Sequence, residues 1–444
     1  MLSSAKKRNN ENLLMKKTGY YYLELINFYK FCIPAGSSIL ELTNQSFSYL
    51  DKLQPKKGLS INISAPRKNI FLRGKFEYII LPDLINQLPD IQKFIHQLKK
   101  VCTPETRLVL NYYNFLWSPI LILAEILGIK RKQPQGNWLS DEDIVILLTL
   151  ENFEIVNAKK RLLLSVYIPI LSTLVNRYLA NLPLINKLCL SNWVIARPLD
   201  FETNKKLNVS VIIPAKNERG NIENGVRKIP QMGKHTEIIF VEGHSNDQTN
   251  REIKRVIKKY KNLDIRLIKQ TGFGKANAVR QGMTKAKGDI LIIFDADLTV
   301  STEELPKFYS AIVSGKGEFI SGCRLVYPME KQAMRTLNIF GNKFFSTIFT
   351  WMLGQKIKDT LCGTKVISLK NYEKIAANRK YFGEFDPFGD FDLIFGAAKL
   401  NLKFIEIPVK YKARLYGETN ISRFKHGWML LKMTAFALRK LKFI

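Results

Sequence analysis

Histidine and cysteine are scarce in this 444-residue chain, with four of the first and five of the second. The cysteines (Cys32, Cys102, Cys189, Cys323 and Cys362) are scattered, odd in number, and form no CxxC pair. Their spacing argues against a zinc site or a disulfide framework and fits a reducing cytosol. Long apolar runs are missing too. Leu162 to Val175 falls short of the roughly 18–20 residues that span a bilayer and is interrupted by polar residues. Met1 to Lys17 is polar and basic with no apolar h-region, so no signal peptide is expected. The expectation is a cytoplasmic protein, soluble or peripheral. Acids are few: 38 Asp and Glu face 69 Lys and Arg, a net charge of +31. That excess favours a polyanionic partner, whether nucleic acid, an anionic membrane surface or a phosphorylated substrate. No recognisable nucleic-acid motif occurs, so a nucleic-acid partner is not expected. Internal repeats and low-complexity tracts are also absent, beyond a general richness in Lys and Asn.

The chain does have the means to build cores: 46% of residues are hydrophobic, with 27 Phe, 17 Tyr and 5 Trp. Its length predicts two or three domains. A polar stretch from Pro198 to Asn208 precedes a strong strand, Val209 to Ile213, and marks a boundary. In the first half, 38–42, 59–63, 78–81 and 107–111 read as strands, with helical patterns between them such as Asp90 to Val101. In the second half, 209–213, 237–241, 265–268 and 290–294 read as strands, with helices at 221–228, 247–258 and 276–285. Aromatic-rich helices near 332–353 and 390–400 and a late strand, Phe404 to Val409, follow in a less regular pattern. Such alternation predicts α/β architecture with two Rossmann-like, doubly wound domains. Their expected bounds are 1–198 and 207–425, followed by a basic amphipathic C-terminal helix over 426–444.

The sharpest local signal is Ile290-Leu-Ile-Ile-Phe-Asp-Ala-Asp297. Five apolar residues read as a buried strand, and strand alternation points Asp295 and Asp297 the same way at its end. Ligands of open α/β sheets bind beyond the carboxyl ends of the strands. Paired carboxylates there suit Mg2+ or Mn2+. Three further features fall at strand ends, in order. Val211 to Glu218 ends a strand with Pro214, Asn217 and Glu218. Phe240 to Thr249 ends the next with Glu242 and a Ser245-x-Asp247 turn able to cap the following helix. Gly272-Phe-Gly-Lys275 is a Gly-rich turn that opens a helix and lacks Walker A spacing.

This order resembles the family-2 glycosyltransferases of the GT-A fold, especially the dolichol-phosphate-mannose synthase-like branch, over roughly 207–425. The resemblance implies that Pro214 to Glu218 surrounds the nucleobase and ribose. It sets Glu242 where the family usually has the Asp that reads the base, with Gly243 where many members have a second Asp, and Asp247 on the donor side. Lys275 then lies near the diphosphate, and Asp295 and Asp297 form the metal-binding Asp-x-Asp. Ser321-Gly-Cys-Arg324 is similar to the Gly-Ser-Arg segment, which makes Arg324 a candidate phosphate contact. Asp359-Thr-Leu-Cys-Gly-Thr-Lys365 resembles Asp-x-x-Cys-Gly-Phe-Lys, with Thr364 replacing the aromatic. Gly389 to Ile394 is similar to the acidic acceptor-side segment, and Arg414 to Asn420 to the segment that closes over the diphosphate.

The implied activity is metal-dependent, inverting transfer of a sugar from a nucleotide sugar to polyprenyl phosphate. A divalent ion with Arg and Lys would stabilise the leaving diphosphate. A rival acceptor is a sugar hydroxyl in cell-surface polysaccharide synthesis, an alternative that leaves open a coupled methylation by the N-terminal domain. The hydroxyl would require a carboxylate base, for which Asp392 is the first candidate and Asp390 the second. Both acids could instead serve a helix N-terminus. A sugar nucleotidyltransferase would need a Gly-, Arg- and Lys-bearing signature that Pro214 to Asn221 lacks. Lys331 to Leu353 and the acid-free tail from His426 to Ile444 read as helices lying in an anionic membrane interface, or as helices packed on the domain core. The expected location is peripheral, on the inner face of the membrane.

In the first half, Gly36-Ser-Ser-Ile-Leu-Glu-Leu42, the strand Leu59 to Ile63 and Phe76 to Asp83 resemble the class I S-adenosylmethionine-dependent methyltransferases over roughly 20–165. The resemblance implies a cofactor cleft after the first strand. Thr43-Asn-Gln-Ser-Phe47, however, stands in place of the Gly-x-Gly turn, and Asn62 in place of the ribose-binding acid. These departures predict a degenerate domain with a structural or acceptor-recruiting role.

Overall fold

The computed structural model describes residues 19–63, 72–128, 136–199, 206–328, 336–381, 389–414, 416–417 and 423–444. Several expectations fall outside them: Met1 to Lys17, positions 200–205 of the predicted boundary, 331–335 of the aromatic-basic stretch, and 415 and 418–420 of the Arg414 segment. Two compact units make up the chain, Met1–Phe201 with Phe443–Ile444, and Glu202–Lys442.

The first unit is built on six strands: β1 (Ser38–Thr43), β2 (Lys57–Asn62), β3 (Tyr78–Leu81), β4 (Arg107–Tyr113), β5 (Phe153–Arg161) and β6 (Ser191–Pro198). Their order in the sheet is β2-β1-β3-β4-β6-β5. The first four strands are parallel, and β6 and β5 continue the sheet antiparallel. Parallel strands covered on both faces carry continuous apolar runs, as Tyr78–Leu81, buried throughout, illustrates. Helix α1 (Ile91–Leu98) starts at Asp90, whose side chain accepts from Lys93 N, and buries Ile91, Phe94, Ile95 and Leu98. Asn137-Trp-Leu-Ser140 leads into helix α2 (Asp141–Leu150), with Ser140 and Asp143 closing a capping box.

Strands β5 and β6 were not anticipated. The reason lies in β6, which is buried over all eight residues yet carries Asn192 and Arg197. Asn192 donates to Asp141 Oδ1 at 2.9 Å, and Arg197 pairs with Glu154 at 2.7 Å. Polar groups partnered within the fold break the period-2 signal without leaving the interior.

The second unit holds seven strands: β7 (Val209–Ala215), β8 (Thr236–Glu242), β9 (Asp264–Lys269), β10 (Ile290–Ile293), β11 (Phe319–Cys323), β12 (Lys365–Ser368) and β13 (Phe404–Pro408). Their order is β13-β11-β12-β10-β7-β8-β9. All neighbours are parallel except β12, which runs antiparallel between β10 and β11. Helices α3 (Arg219–Lys228), α4 (Thr249–Lys259) and α5 (Gly274–Lys285) follow the first three strands. Gly282 lets α5 lie close on the sheet, since a Cβ there would meet Ile212 at 2.4 Å. Strands β11 and β12 were also missed: both are short, and β12 opens on a buried lysine, Lys365. Beyond them lie α6 (Leu305–Val313), α7 (Thr336–Leu353), α8 (Leu369–Ala377), α9 (Phe391–Lys399) and α10 (Arg423–Ala437).

The two helices read as interfacial each bury one side, with Phe345, Phe349 and Met352 inward on α7 and Leu430, Met433 and Ala437 on α10. Phe340 and Phe344 of α7 and Trp428 and Leu431 of α10 are exposed. Among the described residues no helix is long and apolar enough to cross a membrane.

Candidate functional site

In a doubly wound sheet the strand order reverses at one point, and the loops on either side open a crevice. In the second unit that point lies between β7 and β10, because the chain winds outward through β8 and β9 and returns to the other side of β7. The loops leaving β7 and β10 carry Glu218 and the Asp295/Asp297 pair.

Beyond β7 the chain turns through Asn217 at φ 56°. That loop is tied to the one leaving β8. Asn217 N donates to Ser245 Oγ at 3.0 Å, Asn217 Oδ1 accepts from Asn246 N at 2.9 Å, Glu218 N donates to Thr249 Oγ1 at 2.9 Å, and Arg219 N donates to Asp247 Oδ2 at 3.1 Å. Pro214 sits in β7 opposite Val241. Glu242 is buried, and its Oε1 accepts from Ser245 N at 2.6 Å. Its carboxylate therefore braces the turn. The helix cap expected of the Ser245–Asp247 turn takes a modified form. The residue preceding α4 is Gln248, at φ 66° and without a side-chain cap, while Asp247 Oδ1 accepts from Thr249 N at 3.1 Å.

Strand β10 ends at Ile293, so Asp295 and Asp297 stand in the turn beyond it. Strand alternation does not set their directions, which corrects the expectation. Each meets a different cation. Lys275 Nζ lies 2.7 Å from Asp295 Oδ1 and 3.8 Å from Asp390 Oδ2. Arg414 bridges, with NH2 2.8 Å from Asp297 Oδ2 and NH1 3.1 Å from Glu218 Oε1. Asp297 Oδ1 also accepts from Thr299 N and Oγ1 at 3.2 and 2.9 Å. Tyr416 OH donates to Asp247 Oδ2 at 3.2 Å, and its ring lies over Gly220, where a Cβ would come within 2.5 Å. Arg414 and Tyr416 thus strap the segment after β13 across the loops of β7 and β8.

Four carboxylates (Glu218, Asp295, Asp297 and Asp390) gather around two cations, Lys275 and Arg414. Glu218 responds to its burial and, secondarily, to the neighbouring acids. Burial first, then Asp297 and Asp295, raise its carboxyl to about 7 against the opposing pull of Asn221 and Arg414. At Asp295 burial acts upward, but Lys275 outweighs it and the net shift is downward. The same acids outweigh burial at Lys275 and hold its ammonium well above the ordinary lysine value.

Two glycines make this packing possible. A Cβ on Gly363 would lie 1.9 Å from Asp295 Oδ2, and one on Gly389, at φ 77°, would lie 2.8 Å from Ala276 Cα. Gly363 admits the Asp295 carboxylate, and Gly389 lets the start of α9 approach the start of α5. Neither stood among the residues nominated from sequence, although both fall in segments that carried the resemblance. Tyr416 was likewise missed, with no signal beyond its segment.

Two nominated residues are placed differently. Arg324, read as a phosphate contact, is committed to Asp359: Nε to Oδ2 at 2.7 Å and NH2 to Oδ1 at 2.8 Å, with its guanidinium 5.0 Å from the Tyr411 ring centre. Burial alone would raise the Asp359 carboxyl, but Arg324 outweighs it and holds the group down at about 2. A bidentate pair of this kind ties β11 to the loop before β12. Asp392, the first-choice base, lies in the first turn of α9 with Oδ2 3.0 Å from Arg280 and 3.3 Å from Arg379. It fastens α9 to α5. Asp390 precedes that helix without a side-chain cap bond and is the member of the pair that joins the Lys275 cluster.

The corresponding reversal point of the first unit lies between β1 and β3, and its polar groups face inward. Asp83, after β3, accepts from Tyr21 OH at 2.7 Å and also from Asn111 Nδ2. Glu41 accepts from Tyr49 N at 2.8 Å and from Ser48. Tyr21, Tyr29 and Tyr49 are buried there, and burial together with Asp83 pushes the Tyr21 phenol well above its ordinary value. Both acids thus accept hydrogen bonds within the fold, with buried tyrosines beside them.

Glycines, acids and a lysine thus meet at the strand-order reversal of an α/β sheet. Comparison with known proteins gives the class: residues 210–376 match the family model described as Glycosyl transferase family 2. The second unit therefore carries a family 2 glycosyltransferase domain. Among relatives, a dolichol-phosphate mannosyltransferase of Pyrococcus furiosus is 37% identical over 111 residues, 24% of this chain and 31% of that protein. An undecaprenyl-phosphate 4-deoxy-4-formamido-L-arabinose transferase of Proteus mirabilis is 30% identical over 120 residues, 26% of this chain and 37% of that protein. A low-salt glycan biosynthesis hexosyltransferase of Haloferax volcanii is 27% identical over 224 residues, 50% of this chain and 51% of that protein. The chain spans about a third to a half of the length of such relatives. Among solved structures, a glucosyl-3-phosphoglycerate synthase of Mycobacterium tuberculosis is 16% identical with a TM-score of 0.39, covering 53% of this chain and 80% of that one. None of these matches bears on the methyltransferase resemblance of the first half.

Proposed function

We propose that the protein transfers a sugar from a nucleotide sugar to polyprenyl phosphate, with inversion and with Mg2+ or Mn2+, working peripherally at the inner face of a membrane. The observation that carries this reading is the cluster of Glu218, Asp295, Asp297 and Asp390 around Lys275 and Arg414 at the strand-order reversal of the family-matched domain. The oxygen donors of Asp295 and Asp297 suit a hard divalent cation, and Gly363 leaves room for the carboxylate that would hold it. Such an ion supplies charge neutralisation at the leaving diphosphate.

The chain's own groups do the rest. Lys275 and Arg414 turn from their carboxylates to the phosphates and stabilise charge as the glycosidic bond breaks. Tyr416 and Arg414, fixed in one segment, hold the diphosphate from above. Pro214, Asn217, Glu218, Glu242 and Asp247 shape the nucleoside side, with Glu242 and Asp247 acting by fixing the two loops. Arg324 acts at one remove, through Asp359.

The contacts of the two candidate bases support a phosphate acceptor. A hydroxyl acceptor needs a carboxylate free to take its proton, whereas Asp392 is bound by two arginines and Asp390 faces a lysine. A phosphate acceptor is already ionised and needs no base. Relatives named for dolichol phosphate and undecaprenyl phosphate support the same choice.

The test is turnover of UDP- and GDP-sugars with Mn2+ and undecaprenyl phosphate by wild type and Asp297→Ala. The expected outcome is a lipid-linked sugar made by wild type and reduced about 100-fold or more in the variant. Nucleotide release without lipid product, or lipid product independent of Asp297, overturns the reading.

A further inference from the structure

The first unit carries an exposed apolar face that nothing in the transfer reaction uses. From Val166 to Leu188, eleven large hydrophobic side chains are exposed. Contiguous apolar patches on soluble proteins rarely exceed a few hundred Å2 and, when larger, mark interaction sites. Two turns of the same design organise the face: Ile168-Pro-Ile-Leu171 and Leu182-Pro-Leu-Ile185. In each, the residue after proline takes a left-handed backbone, Ile170 at φ 66° and Leu184 at φ 71°. Each is closed by a bond across a single residue, Leu171 N to Pro169 O at 2.7 Å and Ile185 N to Pro183 O at 2.9 Å. These are γ-turns of the rare positive-φ form. A β-branched isoleucine in that region is strained. Ile170 and Leu184 are 76% and 74% exposed, so neither the backbone strain nor the side chain is repaid by packing within the fold.

A helix at Ser118–Ile126 extends the face. It buries none of its residues and exposes Ile120, Ile122, Leu123 and Ile126. Trp117 and Asn114 join it to the second turn, with Trp117 Nε1 donating to Leu188 O at 2.8 Å and Asn114 Nδ2 donating to Lys187 O at 2.7 Å. Charge along the chain through the two turns has one sign, and the helix at Ser118–Ile126 adds a single acid, Glu125. Ile155 to Leu199 contains no Asp or Glu but six basic residues: Lys159, Lys160, Arg161, Arg177, Lys187 and Arg197. Lys160, Arg161 and Arg197 pair with Asp141, Glu24 and Glu154, so the cations that belong to the turns are Arg177 and Lys187; apolar tips beside a net positive charge match the two layers of an anionic bilayer surface, acyl chain below and phosphate above.

We infer that the two proline γ-turns at Ile170 and Leu184, with the helix at Ser118–Ile126, insert into the outer layer of an anionic lipid bilayer and dock the protein on it. The docking deepens the proposed function by bringing the site to a lipid acceptor, but it rests on the first unit alone and needs neither donor nor metal.

The experiment is sedimentation of the full chain with vesicles of phosphatidylcholine alone or mixed equally with phosphatidylglycerol, for wild type, Ile170→Ser with Leu184→Ser, and Ile170→Gly with Leu184→Gly. Wild type is expected to co-sediment, more strongly with the anionic vesicles, and each substituted side chain to cost about tenfold in partitioning. The glycine pair keeps the positive φ without strain, so it retains the wild-type melting temperature while losing the vesicles, which separates docking from folding. Absence of wild-type binding, or binding by both double variants as strong as that of wild type, overturns the inference. So does a wild-type dimer that the serine pair converts to monomer with vesicle binding unchanged, because the face would then bind a second copy. A negative result here leaves lipid-linked sugar synthesis to be judged by its own assay, in which detergent-dispersed acceptor bypasses docking.

Discussion

At the scale of single residues the site is governed by a surplus of carboxylates, and Glu218 records it. Its ordinary value of 4.5 rises to about 7, through burial first and then through Asp297 and Asp295. A raised carboxyl pKa means that between those values the folded chain binds more protons than the unfolded one. The stabilisation is therefore complete below about 4.5 and is lost as pH rises through about 7. Melting temperature should fall from about pH 5 to pH 8, and Glu218→Gln should flatten that slope; an unchanged slope in the variant would place the titration elsewhere. A divalent ion on Asp295 and Asp297 would remove much of the repulsion, so Mn2+ should also flatten the wild-type slope. Gly363 gives a second prediction. Its missing Cβ is what leaves space for Asp295 Oδ2 at 1.9 Å, so Gly363→Ala must displace the carboxylate. Turnover is expected to drop about 100-fold with apparent Mn2+ affinity weakened, both read in a titration of activity against the metal.

At the scale of elements, ion pairs do the fastening that the apolar pattern does not encode. Asp392 joins α9 to α5 through Arg280 and Arg379, and Asp359 joins β11 to the loop before β12 through Arg324. Removing one member of a buried pair leaves the other charge without its partner, at a cost of about 3 kcal/mol. Asp392→Asn should thus lower the denaturant midpoint while the activity of the folded fraction, at saturating donor, falls far less than in Asp297→Ala. A general base would behave in the opposite way, with kcat lost and stability kept. These contacts also explain how far the sequence could be read. Strands β7 to β10 and helices α3 to α5 were legible because each is a plain apolar run or a 3.6-period stripe ended by Gly, Pro or a polar turn. Strands β6 and β12 were not, because Asn192, Arg197 and Lys365 are polar residues held inside by specific partners. The Asp-x-Asp turn could be located but not its geometry, since the direction of Asp297 depends on Arg414, 117 residues away.

At the scale of the whole molecule, two sheets of the same winding have been put to opposite uses at their reversal points. In the first unit Glu41 and Asp83 are hydrogen-bonded within the fold beside buried tyrosines. In the second, like charges are held close at a cost that a ligand can relieve. A ligand that binds only the folded state raises its stability by an amount set by concentration over Kd, about 2.7 kcal/mol at 100 times Kd. Two units of this kind need not melt as one, which makes the contrast measurable in one scan. Calorimetry with Mn2+ and UDP or GDP should raise a transition in wild type and leave it unmoved in Asp297→Ala, while S-adenosylmethionine at the same concentration should move no transition in either. A shift with S-adenosylmethionine would mean that the tyrosine cluster opens to admit it, and Tyr21→Phe, which frees the Asp83 carboxylate from one donor, would then enlarge that shift. The charge balance makes a matching demand on salt. Because Lys275 and Arg414 must exchange carboxylate for phosphate, the nucleotide-dependent shift should shrink as ionic strength rises. At about 0.15 M the screening length, about 8 Å, exceeds the contacts within the cluster, so the loss should come mainly above that concentration.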